Sequence, residues 1–131
     1  MATNPGYAST PRSSSVSIST ANTNRDGTGT VGTVFTAGAS GSRVDQIQIC
    51  PASTTTAGMV RLFIYNDSAY FLYKELPIIA VTPSGTVSVL PITLTSGRDA
   101  DIPLILPSGW SLRASTHNAE TFHITAQGGD F

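Results

Sequence analysis

Two histidines, one cysteine and eight carboxylates carry most of the chemistry that this 131-residue chain can offer. His117 and His123 stand six residues apart in a β-like stretch, where alternate side chains share a face, with Glu120 and Asp130 as the nearest further donors. A zinc site needs three or four converging ligands, and neither carboxylate has a fixed position relative to the histidines. Solvent-facing histidines beside a subunit contact are therefore expected, not a metal site. Cys50 has no second thiol to pair with and is expected as a small buried apolar side chain. The loop "SGRDAD", Ser96 to Asp101, lacks the alternating ligands and closing Glu of a calcium loop, so a local Arg98–Asp101 pair is the expectation.

The segment "GTGTVG", Gly27 to Gly32, has the glycine spacing of a dinucleotide-binding turn. That turn works only between a strand and a helix, because the helix N-terminus holds the phosphates. Here "NTNRD" precedes it and the β-like "TVFTA" follows, which predicts a flexible Gly/Thr loop. No serine sits in a G-x-S-x-G turn, and no acid pair for glycoside hydrolysis can be nominated. The expectation is a non-enzymatic protein with no catalytic residues, no metal and no cofactor.

Charge narrows the partners. Seven Lys and Arg against eight Asp and Glu leave no field to attract nucleic acid or an anionic membrane. The longest apolar stretch, "LPIIAV", is too short to span a bilayer, and the opening "MATNPGYAST" has neither the basic start nor the apolar run of a secretory leader. Synthesis in a cytoplasm is expected, with no membrane partner.

The elements that must position these residues read as strands. Residues 1–41 are rich in Ser, Thr, Gly and Asn and predict an extended arm with one or two short strands, the first at "SVSIS", Ser15 to Ser19. Residues 42–131 are expected to form the folded domain: "RVDQIQIC", "GMVRLFIYN", "YFLYKEL", "TVSVLPITL", "IPLIL", "WSLRASTH" and "TFHITA" are strand-length runs separated by turn clusters. The predicted fold is all-β, an antiparallel β-sandwich of eight or nine strands, jelly-roll-like.

Two hairpins have registers that can be reasoned out. A turn at Asn118 to Glu120 would set Leu112, Ala114 and Thr116 opposite Ala126, Ile124 and Phe122 on one apolar face. A three-residue turn at Asp67 to Ala69 would pair Arg61 with Glu75, Phe63 with Tyr73 and Tyr65 with Phe71, which avoids facing Arg61 with Lys74. In that register Phe63, Tyr65, Phe71 and Tyr73 share one outward face, either covered by the rest of the chain or buried as a subunit interface. If they face water instead, Tyr65, Tyr73 and Phe71 supply the aromatic platform of a carbohydrate-binding module. Trp110 follows the turn "PSG" on the parity of Leu112, which predicts a structural plug at the end of the core.

The ordered runs "VRLFIYND", "LYKELPI", "IPLILPSGWSLRAST" and the terminal "FHITAQGGDF" resemble small virion structural proteins of tailed bacteriophages, of the head-decoration or cement type, over roughly Arg43 to Phe131. The resemblance implies a jelly-roll subunit that forms homo-oligomers, clamps the phage major capsid protein and resides in the virion. A tail, baseplate or adaptor component is the other virion role it admits.

Overall fold

Alternation is the organising signal. In β1 (Thr10–Ile18), Ser13, Ser15 and Ser17 face out, whereas Val16 is half-buried and Ile18 is buried. The same period of two runs through the chain because a strand puts successive side chains on opposite faces. The computed structural model describes residues 9–96, 98–99 and 102–131, which include nine strands and no helix. After β1 come β2 (Gly32–Thr36), β3 (Ser42–Pro51), β4 (Gly58–Tyr65), β5 (Tyr70–Ile78), β6 (Ile92–Thr95), β7 (Leu104–Leu106), β8 (Ser111–Thr116) and β9 (Phe122–Asp130).

The strands form two antiparallel sheets, of five and four strands. One has the order β1-β9-β3-β6, with β7 also paired to β3, and the other has the order β2-β8-β4-β5. β6 pairs with Gln46 to Ile49 and β7 with Ser42 to Val44, so the two short strands lie end to end along one side of β3. One cluster of buried residues joins the sheets: Ile18, Val44, Ile47, Ile49, Phe122 and Ile124 come from the first, and Val60, Leu62, Leu76, Leu112 and Ala114 from the second.

The all-β expectation holds, and three local expectations change. β8 and β9 are not a hairpin: β8 pairs with β4 and β2, while β9 pairs with β1 and β3. Leu112 and Ala114 still share a core with Phe122, Ile124 and Ala126, but they meet it from the other sheet. Second, "TVSVLPITL" contributes only Ile92 to Thr95, because Ser84 closes a turn onto Val87 and Pro91 cannot donate to a ladder. Third, residues 10–18 and 32–36 are full members of the sheets: β1 pairs along its whole length with β9, and β2 pairs with β8. Part of the expected arm, Met1 to Ala8, lies outside the described residues.

The β4–β5 hairpin keeps one predicted pair and loses two. Arg61 does face Glu75, but Phe63 faces Leu72 and Tyr65 faces Tyr70. The turn holds four residues, Asn66 to Ala69, because the Asn66 side chain accepts from the backbone N–H groups of Ser68 and Ala69 and Asp67 takes φ 73. A bulge at Leu62/Phe63 then restores the Arg61–Glu75 pairing, with Tyr73 as the extra residue.

Candidate functional site

The aromatic quartet is split by that bulge. Phe63 and Tyr65 lie on the face of the second sheet away from the core, where Tyr70 joins them: its ring is edge-on to Phe63 at 6.3 Å and 4.5 Å from Tyr65. Tyr73 turns inward and packs against the core, while Phe71 lies opposite Ile64 and is exposed. No flat aromatic platform results, since the Arg113 guanidinium stacks over Tyr65 at 4.3 Å and its Nη1 donates to the Tyr70 hydroxyl.

Trp110 is half-buried against the core at one end, just ahead of β8. Its N–H donates to the Pro107 carbonyl, closing a turn in which Gly109 takes φ 86, a backbone shape that suits glycine. Its own carbonyl accepts from Ala37, which ties the turn to the residue after β2.

The outer face of the second sheet is covered by Ser19 to Val31, which includes most of the Gly27–Gly32 stretch expected to be a flexible loop. It is pinned at several points. Asn22 donates its backbone N–H to the Thr116 carbonyl, and its side chain gathers the carbonyls of Thr28 and Thr30. Arg25 donates to both oxygens of Glu75 at 3.1 Å. The glycines that mimic a nucleotide turn serve packing: a Cβ on Gly27, at φ +85, would sit 2.2 Å from the Tyr70 ring. No helix follows them, so no phosphate cradle forms.

Beneath this cover lies Arg61, fully buried and missed by sequence reasoning. Its Nε donates to Glu75 at 3.1 Å, its Nη1 to the Asn22 carbonyl at 3.4 Å, and both Nη groups approach His117 Nδ1 at 3.3 Å. The available signal was its facing partner Glu75, since a charge that pairs across strands need not face water. The hydrogen bonds from Arg25, then the Arg61 guanidinium, hold the Glu75 carboxyl below its ordinary range.

The reactive residues do not converge. His117 sits beside Arg61 under the second sheet's cover, whereas His123 is exposed on β9 of the first sheet. Cys50 is half-exposed rather than buried: it lies opposite His123 on β3, with its side chain on the face away from the core. Among the described residues no three of His, Cys, Asp and Glu come together as a metal site. The expected Arg98–Asp101 pair falls on Asp101, which lies outside the described residues; Arg98 lies 3.5 Å from the Asp99 carboxylate.

The terminal "GGD" proves to be a latch. The Asp130 carboxylate accepts from the Ser42 hydroxyl and from Arg12 Nη1 at 2.9 Å, while the same Arg12 nitrogen reaches the Thr36 carbonyl and its guanidinium lies 4.4 Å from the Phe35 ring centroid. The first and last strands are thus tied to β2 and to the start of β3. The Ser42 hydrogen bond, then Arg12, lowers the Asp130 pKa. A lowered folded-state pKa means that this contribution to stability is present above the usual aspartate range and is lost as pH falls through the depressed value. Denaturation midpoints measured down a pH series should therefore decline below that range, and Asp130→Asn should flatten the decline; an unchanged slope would place the acid sensitivity elsewhere.

The remaining feature is apolar. Among the described residues, Phe71 and Leu72 of β5 are exposed, and so are Ile79, Val87 and Leu90 in the connection to β6. A hollow of about 270 Å³ opens between Pro77, Ile78, Ile79, Leu90 and Pro91 on the same side. On the opposite side, Arg12 links β1 to Thr36 of β2 and to Asp130 of β9. Compared with models of protein families, with curated proteins and with solved structures, the chain matches none.

Proposed function

We propose that this chain is a non-enzymatic structural subunit of a virion, of the tailed-phage head-decoration type, which binds copies of itself and the major capsid protein. The observation that carries the reading is the exposed apolar side formed by β5 and residues 79–91. Exposed large apolar side chains gathered along one strand and the connection after it are a mark of protein contact. The resemblance in "VRLFIYND", "LYKELPI" and "FHITAQGGDF" supplies the virion context. The protein is made in the host cytoplasm and resides in the assembled particle.

The finer architecture in this reading is a jelly roll. Strand order supports it: with β6 and β7 counted as one edge, four strands face four, and the chain passes between sheets at most connections, as two nested Greek keys require. Any arm that reaches over the capsid is limited to the residues ahead of Thr10, because the chain is committed to the sheets from there on.

The test is co-sedimentation of the full chain with shells assembled from a tailed-phage major capsid protein. Saturable binding at hundreds of copies per shell is the expected result. Copies in sixes or twelves on whole particles would move the protein to the tail, and no association with either would overturn the reading.

A further inference from the structure

We infer that Ser19–Val31 is a strap that opens as a unit while the two sheets stay folded, uncovering Arg61, Phe63 and Ser115 on the outer face of the second sheet. The inference stands apart from the capsid reading, since it concerns motion within one chain.

Those three side chains set this face apart. The outer face of an antiparallel sheet ordinarily meets water and carries polar residues. Here Arg61 and Phe63 are fully buried, yet Phe63 lies outside the cluster that joins the two sheets. Ser115 faces Arg61 across β8 and β4, which puts both on the same side, and its hydroxyl is buried with no hydrogen-bond partner among the described residues. An unmatched buried hydroxyl favours opening, because water supplies the partner that the closed state lacks.

The strap buries little apolar surface of its own. Its buried residues are Asn22 and Gly27, while Ala21 is exposed and Val31 half-buried. What it has is an internal frame. Asn22 Nδ2 donates to the Thr28 and Thr30 carbonyls at 2.9 Å, and Asn22 Oδ1 accepts from the Asn24 backbone N–H. The Asp26 carboxylate accepts from both the N–H and the hydroxyl of Thr28. A compact loop closed by its own hydrogen bonds keeps its shape when it moves.

Its links to the sheet divide into a hinge and a catch. At the hinge, Ala21 bridges Thr116, and Asn22 meets the Thr116 carbonyl and Arg61 through its backbone. A hollow of about 120 Å³ beside it, between Ser19, Thr20, Thr30 and Ser115, leaves room for the ends of the loop to turn. The catch is the Arg25–Glu75 ion pair at the tip, with side chains 63% and 27% exposed. Water and salt screen a pair this open, so it holds weakly. Between hinge and catch, Gly27 rests against the Tyr70 ring. Segments with few buried apolar contacts open at a fraction of the global unfolding free energy, and this one lies over a fully buried guanidinium and phenyl ring.

The test is thiol labelling of the full chain in a Cys50→Ser background. Ser115→Cys puts a thiol under the strap, and Val60→Cys puts one in the core, one step along the same pair of strands. The thiol at 115 should react at least about tenfold faster than the thiol at 60, because the first needs local opening and the second needs the sheets to part. Adding Arg25→Ala should raise the rate at 115 several-fold and leave the rate at 60 unchanged. Val44→Cys, also in the core, repeats the control should Val60→Cys fold poorly. Equal rates under the strap and in the core would overturn the inference, as would a rate at 115 indifferent to Arg25→Ala. A thiol at 115 as reactive as the native, half-exposed Cys50 would overturn it too, because the face would then be open from the start.

Discussion

Gly128→Ala should cost about 3 kcal/mol or more of folding stability, at the upper end of what forcing extra volume into a packed site produces. The added Cβ would lie 1.8 Å from the Arg43 carbonyl oxygen and 2.9 Å from the Val44 Cα. Both are backbone atoms, so no side chain can swing aside. β9 would have to move away from β3, and these are the two central strands of the larger sheet, paired from Ser42↔Asp130 to Pro51↔Phe122. The close approach comes from the β-bulge between Val44 and Gln46, where β3 carries one residue more than β9 opposes. Equilibrium denaturation of the variant measures the loss. A midpoint close to wild type would mean that the two strands are less tightly apposed at the bulge than Gly128 implies.

That glycine illustrates how far the sequence could be read. "FHITAQGGDF" announces a strand through its alternation, and β9 does run from Phe122 to Asp130. The alternation also says which side chains face inward: Phe122, Ile124 and Ala126 are all buried. It cannot say which strand lies alongside. The sequence from Leu112 to Ala126 fits a hairpin and a crossover equally well, because both arrangements bury the same parity, and only the full set of strand pairings decides between them. The same limit hid the bulges, each of which displaces a register by one residue without changing composition. Asp130 was legible as a carboxylate near the end of the chain, but its latch depends on Arg12 and Ser42, at separations of 118 and 88 residues. No local pattern encodes contacts at that range.

Arg61 sets the harder case, and replacing it should separate the roles of shape and charge. Arg61→Ala should lose about 3 kcal/mol, comparable to truncating a large buried side chain, because it empties a fully buried site beneath the Ser19–Val31 segment. The Asn22 carbonyl and His117 Nδ1 lose a donor at the same time. Arg61→Met keeps much of the volume while removing the charge, and Glu75 retains Arg25 on both of its oxygens. Well-packed apolar replacements of buried ion pairs are often tolerated, so the methionine variant should recover at least half of the alanine loss. Denaturation of the two variants side by side makes the comparison. Equal losses would show that the guanidinium's hydrogen bonds, rather than its bulk, hold the cover in place. A methionine variant close to wild type would show the reverse: packing beneath Ser19–Val31, and not the charge at Arg61, supplies the stability.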